Sequence, residues 1–509
     1  MASLLRKLLL PLTPFFSLLG VVGVQPLQAQ SIITSPDGTN TTVTINGNQY
    51  NITGGTLSGD GANLFHSFQQ FGLSNNEIAN FLSTPQIRNV LGRVVGGDAS
   101  VINGLIQLTG GNSNLFLMNP AGMVFGKDAS LNLPASFTAT TANGIGFEGG
   151  WFAGVGTNDY QALVGDPNSF AFTTNQPGTI VNAGNLALND GQNLTLLGGM
   201  VINTGTISTA GGNITIAAVP GENVVRISQE GMVLSLELEP IGNIDNSNAL
   251  PGSGSSLTPD LPELLTGGNL ADATDVSVNH NGTISLSGSG ISLPQETGST
   301  YIAGTVDTTG DIGGTVNVLG DRVGLIGANI DASGTNGGGR VLIGGDVQGQ
   351  GPVPNALGIF VNPDSIIRAD ALASGNGGKV ILFAEEAANI HGEISARGGA
   401  LGGDGGFVET SGLQSFQITT TPDVSAEFGL AGEWLIDPYN ITIVPDGAGN
   451  NNINLANPFE AIGDDATLEV GLITAALTGG ANVTIITGAG GTQDGNITLS
   501  TDLNFNGTG

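Results

Sequence analysis

The side chains that most often do chemistry in proteins are sparse in this chain. Its 509 residues contain no cysteine and three histidines, His66, His280 and His391, which do not have the spacing of a metal site or a catalytic triad. Asp and Glu number 42 but are scattered, so choosing any two as a general acid and base would be arbitrary. We therefore expect no catalytic residue, no metal, no cofactor and no enzyme.

The net charge and the lack of cysteine also exclude some kinds of binding partner and site. The formal net charge is −31, and it falls to −33 once the two basic residues of the N-terminal leader, Arg6 and Lys7, are left out. A charge of this sign argues against binding nucleic acid or an anionic membrane surface. The lack of cysteine excludes disulfides and thiolate metal sites. These features are compatible with an extracellular protein.

The first 29 residues have the pattern of a signal peptide. Arg6 and Lys7 give a positive start, residues 8–24 are mostly apolar, and Ala29 supplies a small residue for cleavage. The alternative is a membrane anchor, but Pro11 and Pro14 interrupt the apolar run, which falls short of the ~20 residues that a spanning helix needs. We expect no transmembrane segment in the mature chain.

Behind the leader, one short phrase recurs along the chain. It begins with glycine or asparagine and continues with alternating β-branched or apolar residues. Copies are GNITI at 212–216, GTVNV at 314–318, GKVIL at 378–382 and GNITL at 495–499. Strands this short cannot each bury a core alone, but they can do so by stacking as the coils of a solenoid. The sequence therefore predicts an all-β solenoid.

The spacing of the phrases indicates coils of unequal length. Asn193 and Asn213 occupy the same place in two phrases and are 20 residues apart, which suits one coil. Glycine pairs end at 314, 339, 378 and 406, an irregular series that fits coils joined by loops of different length. Residues 240–275 break the rhythm and predict a surface loop or insertion. Because the chain stops within the rhythm, we expect it to be truncated at its C-terminal end.

Local patterns near the N-terminus add three expectations. The pair Asn46-Gly47 between alternating segments predicts a hairpin. Residues 63–73 hold the densest aromatic stretch, which we interpret as a bent strand whose phenylalanines belong to the core. Residues 74–92 are the most helix-tolerant part of the mature chain, although Pro85 argues against one continuous helix.

Two segments are more specific than the repeat. They contain Asn63, Leu64, Phe65, His66, Ser67 and Phe68, and Asn119, Pro120, Ala121, Gly122, Met123, Phe125 and Gly126. Together they resemble the secretion domain of filamentous haemagglutinin-type exoproteins, which use two-partner secretion. The family's usual motif is Asn-Pro-Asn-Gly-Ile. This chain has Ala121 in place of the second Asn, which should preserve the turn, and Met123 in place of Ile, which is apolar and of similar size. Phrases at 406–412 and 434–440 look like large cyanobacterial members, so the resemblance covers most of the mature chain.

The resemblance implies a fold and a route. The implied fold is a right-handed, single-stranded parallel β-helix with an N-terminal β cap and extra-helical hairpins or loops. A secretion domain at about 30–280 would be recognised by an outer-membrane β-barrel transporter with periplasmic peptide-binding domains, and residues 281–509 would continue the β-helix. The protein would pass through the periplasm of a Gram-negative-type envelope to the cell surface or medium. It would act there as an adhesin or surface stalk for cell-surface or host glycans or proteins.

The residue types at 119–122 in the second segment predict a turn, independently of the family resemblance. Asn119 at the first position, Pro120 at the second and Gly122 at the fourth predict a type I turn. This turn either only reverses the chain or also helps recognition by, or folding outside, the transporter. The repeated asparagines, such as Asn213, predict side-chain hydrogen bonds between stacked coils.

Two other functions remain open. One is a β-helical polysaccharide lyase or hydrolase, in which Arg or Lys and acids, often with calcium, would share one face of the helix; the nine basic residues of the mature chain are dispersed in sequence, which argues against it. The other is the stalk of a contact-dependent toxin whose effector lies beyond residue 509. The glycine pairs lack the nine-residue period of calcium-binding repeats.

Overall fold

Nearly all of the regular secondary structure in the described residues is β-strand. The computed structural model describes residues 31–227, 236–241, 273–278, 284–288, 296–448, 452–454, 457–490 and 492–505. The predicted signal peptide, His280 and most of the predicted insertion at 240–275 lie outside these residues.

The N-terminal part forms a cap and the first coils. Its strands are β1 (Ile33–Thr34), β2 (Thr41–Asn46), β3 (Gln49–Gly54), β4 (Thr56–Leu57), β5 (Asn63–Gln70), β6 (Ile78–Leu82), β7 (Asn89–Val94), β8 (Ser100–Ile102), β9 (Leu105–Thr109), β10 (Asn114–Met118), β11 (Met123–Phe125), β12 (Ser130–Asn132) and β13 (Phe137–Thr140). Strands β2 and β3 form the hairpin that Asn46-Gly47 predicts, and Gly47 has φ 63°. Strands β1 and β4 pair antiparallel with β5, which closes this end of the stack.

The middle part adds coils and a separate antiparallel sheet. Its strands are β14 (Gly144–Phe147), β15 (Gly150–Ala153), β16 (Ser169–Phe172), β17 (Thr179–Asn182), β18 (Asn185–Ala187), β19 (Asn193–Gly198), β20 (Met200–Asn203), β21 (Thr206–Ser208), β22 (Asn213–Ala218), β23 (Asn223–Ile227), β24 (Leu236–Pro240), β25 (Ala273–Val278) and β26 (Ile284–Gly288). An outer sheet has the order β15-β14-β16-β23-β24, with every pairing antiparallel. It is the extra-helical element that the family resemblance implies.

The C-terminal part continues the coils and contains one α-helix in the described residues. Its strands are β27 (Ser299–Ile302), β28 (Thr305–Asp307), β29 (Thr315–Leu319), β30 (Arg322–Leu325), β31 (Asn329–Asp331), β32 (Arg340–Ile343), β33 (Ala356–Val361), β34 (Ile366–Arg368), β35 (Lys379–Ile390), β36 (Glu393–Ser395), β37 (Phe407–Gly412), β38 (Ser415–Ile418), β39 (Glu433–Ile436), β40 (Ile441–Val444), β41 (Ala466–Glu469), β42 (Asn482–Ile485) and β43 (Ile497–Leu499). The helix is α1 (Val470–Thr478), and 3-10 turns span Tyr160–Ala162 and Val347–Gly349.

The coils stack into three faces of parallel strands. The first face is β5-β7-β10-β13-β19-β22-β29-β32-β35-β37-β39-β42. The second is β8-β11-β17-β20-β27-β30-β33-β35-β38, and the third is β3-β6-β9-β12-β18-β21-β28-β31-β34-β36. Neighbouring coils are therefore ~4.8 Å apart, the spacing of hydrogen-bonded strands. The predicted single-stranded parallel β-helix is confirmed.

The register places equivalent residues of successive phrases above one another. Asn193 lies below Asn213, and their side chains form the predicted hydrogen bond, Nδ2 to Oδ1, at 2.8 Å. Inside the helix, Ile214 stacks on Leu194, and Val316 stacks on Ile214. All three are fully buried, because alternate side chains of each strand point into the same core. The irregular glycine offsets predicted from the sequence correspond to loops of different length between strands that keep their register.

Glycine pairs occur where consecutive coils approach most closely. A Cβ added at Gly378 would collide with the carbonyl oxygen of Gly339, and one added at Gly406 would collide with that of Gly378. The same collision recurs one coil further on, between Gly432 and the carbonyl of Gly406. The repeated glycines are therefore required by packing between coils at one corner of the helix.

Two departures from simple stacking stand out. The helix-tolerant residues 74–92 contain strand β6 and the first four residues of β7, because pairing with strands below and above overrides their local preference. Near the C-terminus, β41 packs against β38 and pairs with β40, although β40 precedes it in the chain. In the described part of the connection between β40 and β41, Phe459 packs against Tyr301 and Phe360 on the second face.

Candidate functional site

The first segment that resembles the family forms most of strand β5. Its side chains alternate strictly between the two sides of the first face. Leu64 and Phe68 belong to the inner core, whereas Phe65 belongs to a second apolar cluster between the first face and the outer sheet. All six residues from Asn63 to Phe68 are at most 6% exposed. The prediction that this stretch is core strand is confirmed, and no member of it is free to meet a partner in the folded chain.

Asparagines connect the first three coils. Asn89 donates its side-chain amide to the side-chain oxygen of Asn63 at 2.9 Å, and Asn114 donates in the same way to Asn89 at 3.0 Å. Asn63 in turn donates to the backbone carbonyls of Leu163 and Gly165, at 2.9 and 2.8 Å. Asn63 thus joins the first coil to the loop that connects β15 and β16 of the outer sheet.

Aromatic rings hold the outer sheet against the first coil. The ring of Phe65 lies 4.9 Å from that of Phe152, 5.2 Å from that of Tyr160 and 5.9 Å from that of Phe147, centroid to centroid. Each distance is within the 4.5–7 Å range of favourable aromatic pairs. Phe65 therefore anchors residues 147–160 on the outside of the helix.

A buried ion pair lies at the end of β5. The guanidinium of Arg93 is 2.9 Å from a carboxylate oxygen of Asp37, and its Nε donates to the Ser67 hydroxyl at 3.1 Å. Ser67 donates in turn to the same carboxylate. Arg93 also donates to the backbone carbonyl of Ala153 at 2.6 Å and lies over the ring of Phe152. One cation thus connects the N-terminal cap, the first two coils and the outer sheet.

The carboxylate of this pair is stabilised in its charged form. Burial alone would raise the pKa of Asp37, but hydrogen bonds from Ser67, Thr39 and Arg93 outweigh burial and hold that pKa well below its usual range. Asp37 is therefore ionised at any physiological pH, which keeps the ion pair intact.

His66 points into the apolar core. Its ring lies 5.9 Å from the ring of Phe81 and 6.3 Å from that of Phe68, and within the described part of the chain neither ring nitrogen has a hydrogen-bond partner. Burial lowers the pKa of His66 to about 4, so the ring is neutral near pH 7. His391, on another coil, contacts the hydroxyl of Thr419 at 2.9 Å, and burial lowers its pKa too.

The second segment begins with a turn between the first and second faces. The Gly122 amide donates to the Asn119 carbonyl at 3.0 Å, which closes the predicted four-residue turn. The Asn119 side chain is fully buried, accepts from the Ala121 amide at 3.0 Å and donates to the Ser100 hydroxyl at 2.9 Å. Asn119 thus fixes the turn and ties it to the coil before it.

The rest of the second segment enters the core. Met123 and Phe125 are fully buried and belong to the inner core, and the ring of Phe125 meets that of Phe137 edge-on at 6.2 Å. Gly126 lies against the side chain of Asn103, where a Cβ would collide with it. Ala121 is 8% exposed, so the alanine that replaces the family's asparagine faces protein.

The two segments meet through a shared neighbour. They belong to the first and third coils, with Arg93 on the coil between them. The backbone of Ala153 accepts from Arg93, and the adjacent Gly154 packs against the Pro120 ring. Both segments therefore hold the same end of β15 in the outer sheet.

Besides Asn114, which opens the run of residues that leads into the second segment, three polar residues that complete this arrangement were not recognised from the sequence: Asp37, Asn89 and Arg93. Two signals for them were present. Asn89 and Asn114 begin phrases that repeat the Asn-apolar-apolar start of the first segment, and Arg93 is a lone cation in an apolar run. The sequence around Asp37 predicts only a turn. Its ion pair could not be predicted from it, because the partner, Arg93, lies 56 residues away in the chain.

Other kinds of site find little support in the described residues. No group of three or more His, Cys, Asp or Glu side chains within those ranges is placed to hold a metal ion. No helix among the same residues is long and apolar enough to cross a membrane. Burial raises the pKa of Glu409 to about 7, but this carboxylate is fully buried and accepts from the Gln348 amide at 3.0 Å. Substrate therefore cannot reach it.

Comparison with known proteins gives one family and several similar structures, of which two are secretion domains described here. The family model described as "TPS secretion domain" matches residues 29–271. The HMW1 secretion domain from Haemophilus influenzae is 24% identical over 81% of this chain and 100% of that chain, with a TM-score of 0.42. The filamentous hemagglutinin secretion domain is 12% identical over 92% of this chain and 100% of that one, with a TM-score of 0.31. No curated protein matches the sequence.

Both segments described above lie within residues 29–271 and inside a capped parallel β-helix. The family of this region implies a secreted protein and a cognate transporter in the outer membrane. Residues 29–271 thus match a TPS secretion domain, and this match supports a two-partner secretion exoprotein.

Proposed function

We propose that the chain is a non-enzymatic adhesin or surface stalk, exported by a β-barrel transporter with periplasmic peptide-binding domains. In this proposal residues 30–280 are the secretion signal and folding nucleus, behind a signal peptide at 1–29, and residues 281–509 extend the β-helix. The observation that carries it is the network around Arg93, which joins the cap, the first coils and the outer sheet into one unit.

The burial of both segments suggests when the transporter meets them. Residues 63–68 and Asn119 are at most 6% exposed in the folded domain. A partner can therefore bind these side chains only before the domain folds. We propose that the transporter binds the two segments in the extended chain, and that their burial outside the membrane then prevents return.

A double variant tests the second segment. Asn119→Ala with Pro120→Ala removes the side chain that caps the turn and the ring that packs on Gly154. We expect secreted protein in the medium to fall and protein in the periplasm to rise. The matched control is Asn112→Ala with Pro85→Ala, which changes an exposed Asn and an exposed Pro of the same domain outside both segments. Unchanged export of the Asn119/Pro120 variant would reject the role of this turn.

A lyase or hydrolase stays a second candidate for one reason. The basic residues are dispersed in sequence, but Arg368 and Arg397 line one cleft together with Glu393 and Asp423. Incubation with polygalacturonate separates the two candidates, with unsaturated products of a lyase followed by ultraviolet absorbance and new reducing ends of a hydrolase followed by a reducing-sugar assay. We expect no product.

A further inference from the structure

A cleft of about 340 Å³ lies on the outer surface of the third face. It is bounded by β34, by β36 and by the segment that follows β38. Ile367 and Ile394 point into the core, so the alternate residues Arg368, Glu393 and Ser395 point outward into the cleft. The side chains of Arg397, Thr421 and Asp423 complete its walls.

Arg368 is available to bind a ligand. Seven of the nine basic residues of the mature chain form ion pairs with acids: Arg88, Arg93, Lys127, Arg226, Arg322, Arg340 and Arg397. Arg368 forms none with any described residue, and its hydrogen bond to the Asn329 side chain is long, at 3.5 Å. Glu393 is exposed and likewise has no ion-pair partner among the described residues. The cleft therefore contains a free donor group and a free acceptor group.

The opposite wall is held rigidly. Arg397 donates twice to one oxygen of Asp370, at 2.7 and 3.1 Å, and Ser395 donates to the same oxygen at 3.0 Å. The Asp370 side chain is 1% exposed, so this anchor lies beneath the surface. Such fixed side chains lower the entropic cost of binding, because they need not be ordered by the ligand.

Charge decides which class of ligand fits. Arg368, Arg397, Glu393 and Asp423 line the cleft, and Arg397 also pairs with Asp370 beneath its surface, which leaves the region slightly negative. The whole chain carries a net charge of −31. A polyanion would be repelled at long range. A neutral polyol suits the cleft better, because a guanidinium donates to hydroxyl oxygens and a carboxylate accepts from hydroxyl hydrogens.

We propose that this cleft binds a neutral saccharide, with Arg368 and Glu393 bridging neighbouring hydroxyl groups. The volume is at the lower end of the ~300–1,000 Å³ of small-molecule sites, which suits one or two sugar rings. The inference rests on the proposed adhesin role and assigns to it a ligand class and a place, outside the secretion domain.

Binding by the purified full-length chain tests the proposal. The probes are two soluble neutral polysaccharides, galactomannan and xyloglucan, and one acidic polysaccharide, polygalacturonate. We expect a neutral polysaccharide to bind, and Arg368→Ala and Glu393→Ala each to weaken that binding about tenfold, the usual effect of losing a charged hydrogen bond. Arg368→Lys should also weaken it, because an ammonium lacks the planar fork of donors.

The matched control is Lys379→Ala, which removes the other cation without an acidic partner in the described residues and lies on the first face. Its affinity should stay within about twofold of wild type. Lack of binding to both neutral polysaccharides, binding to polygalacturonate alone, or no effect of Arg368→Ala would overturn the inference. Export is measured as the amount of wild-type protein in the medium of the cultures from which the chain is purified. Normal export without saccharide binding would reject only this inference. Failed export of the wild-type chain would reject the proposed function.

Discussion

Arg93 shows how one buried cation can organise a small region. Its side chain is 2% exposed, while that of its partner Asp37 is 21% exposed. Removing one member of a buried pair is costly because the other group keeps its charge without compensation. Arg93 also donates to Ala153, so its loss would loosen the outer sheet as well as the cap.

Replacement of Arg93 should therefore destabilise the chain strongly. We expect Arg93→Leu to lower the free energy of unfolding by about 3–5 kcal/mol, as for other broken buried pairs. The control is Arg88→Leu, because Arg88 is 54% exposed and pairs with Asp60 and Asp166 at the surface. It should cost less than about 1 kcal/mol. Chemical denaturation at pH 7 measures both, and equal losses would contradict the buried role of Arg93.

His66 should make stability depend on pH. The unfolded chain binds a proton at this residue near pH 6.5, whereas the folded chain does so only near pH 4. Stability from the buried neutral ring is therefore complete above about pH 6.5 and is lost as the pH falls towards 4, by roughly 3 kcal/mol in total. His66→Leu should remove this dependence, as measured by denaturation midpoints at pH 4.5 and 7.

His391→Leu provides the comparison for this titration. The pKa of His391 is also lowered by burial, but its ring reaches a hydroxyl group on another coil. The His391→Leu chain should keep the part of the pH dependence that belongs to His66. If His66→Leu and wild type lose the same stability between pH 7 and pH 4.5, the buried neutral ring is not the cause.

At the scale of elements, the glycine corners determine how closely the coils stack. Each coil hydrogen-bonds to the next along the corner, and a side chain there would push two coils apart. We expect Gly378→Ala to destabilise the chain by about 1–3 kcal/mol, the range for overpacking. Gly488→Ala is the control, because a Cβ at Gly488 meets no atom within 4 Å. Thermal unfolding followed by circular dichroism compares the two, and equal melting temperatures would contradict the packing explanation.

Elements differ in how well their sequence predicts them. The hairpin at Asn46-Gly47 and the stacking of Asn193 on Asn213 follow from local patterns that recur at the correct spacing. Strand β6 does not, because only pairing with β3 and β9 makes residues 78–82 extended. The order of β40 and β41 could not be predicted either, since neither strand's own sequence specifies which of the two lies nearer to β38.

The candidate site also has parts that the sequence predicts and parts that depend on tertiary contacts. The type and spacing of residues in both segments predict a core strand and a turn, and the structure has both. The ion pair between Arg93 and Asp37 depends on the cap folding back over β5, which is a tertiary contact across 56 residues. Its participants therefore became visible only in three dimensions.

For the whole molecule, stacking suggests a source of energy for export. At ~0.05–0.15 kcal/mol per residue, a coil of ~20–25 residues stabilises the stack by on the order of 1–4 kcal/mol. Each coil that forms outside the membrane thus biases movement outward. This account requires the chain to cross the membrane unfolded and without crosslinks.

A removable crosslink tests that requirement. Ser374 donates to the Asn336 side chain at 2.7 Å on neighbouring corner loops, so cysteines at both positions should be tolerated by the folded protein. In an oxidising periplasm the Asn336→Cys, Ser374→Cys chain should form a closed loop and stall, and a reductant should restore its secretion. The single variant Asn336→Cys should be secreted normally. Equal yields of the double variant with and without reductant would count against export of an unfolded chain.

The exchanged order of β40 and β41 has a consequence for timing. In the proposed export, with the N-terminal end leading, residues 441–444 would leave the channel before residues 466–469, which lie between them and β38 in the folded chain. Strand β40 therefore has no strand to pair with until β41 has emerged and packed against β38. We expect growth of the stack to pause while the residues between β40 and β41 emerge. We expect a transient intermediate when the chain has emerged beyond β40 but not yet as far as β41. In this intermediate the coils up to β39 are folded, and β40 is still unpaired.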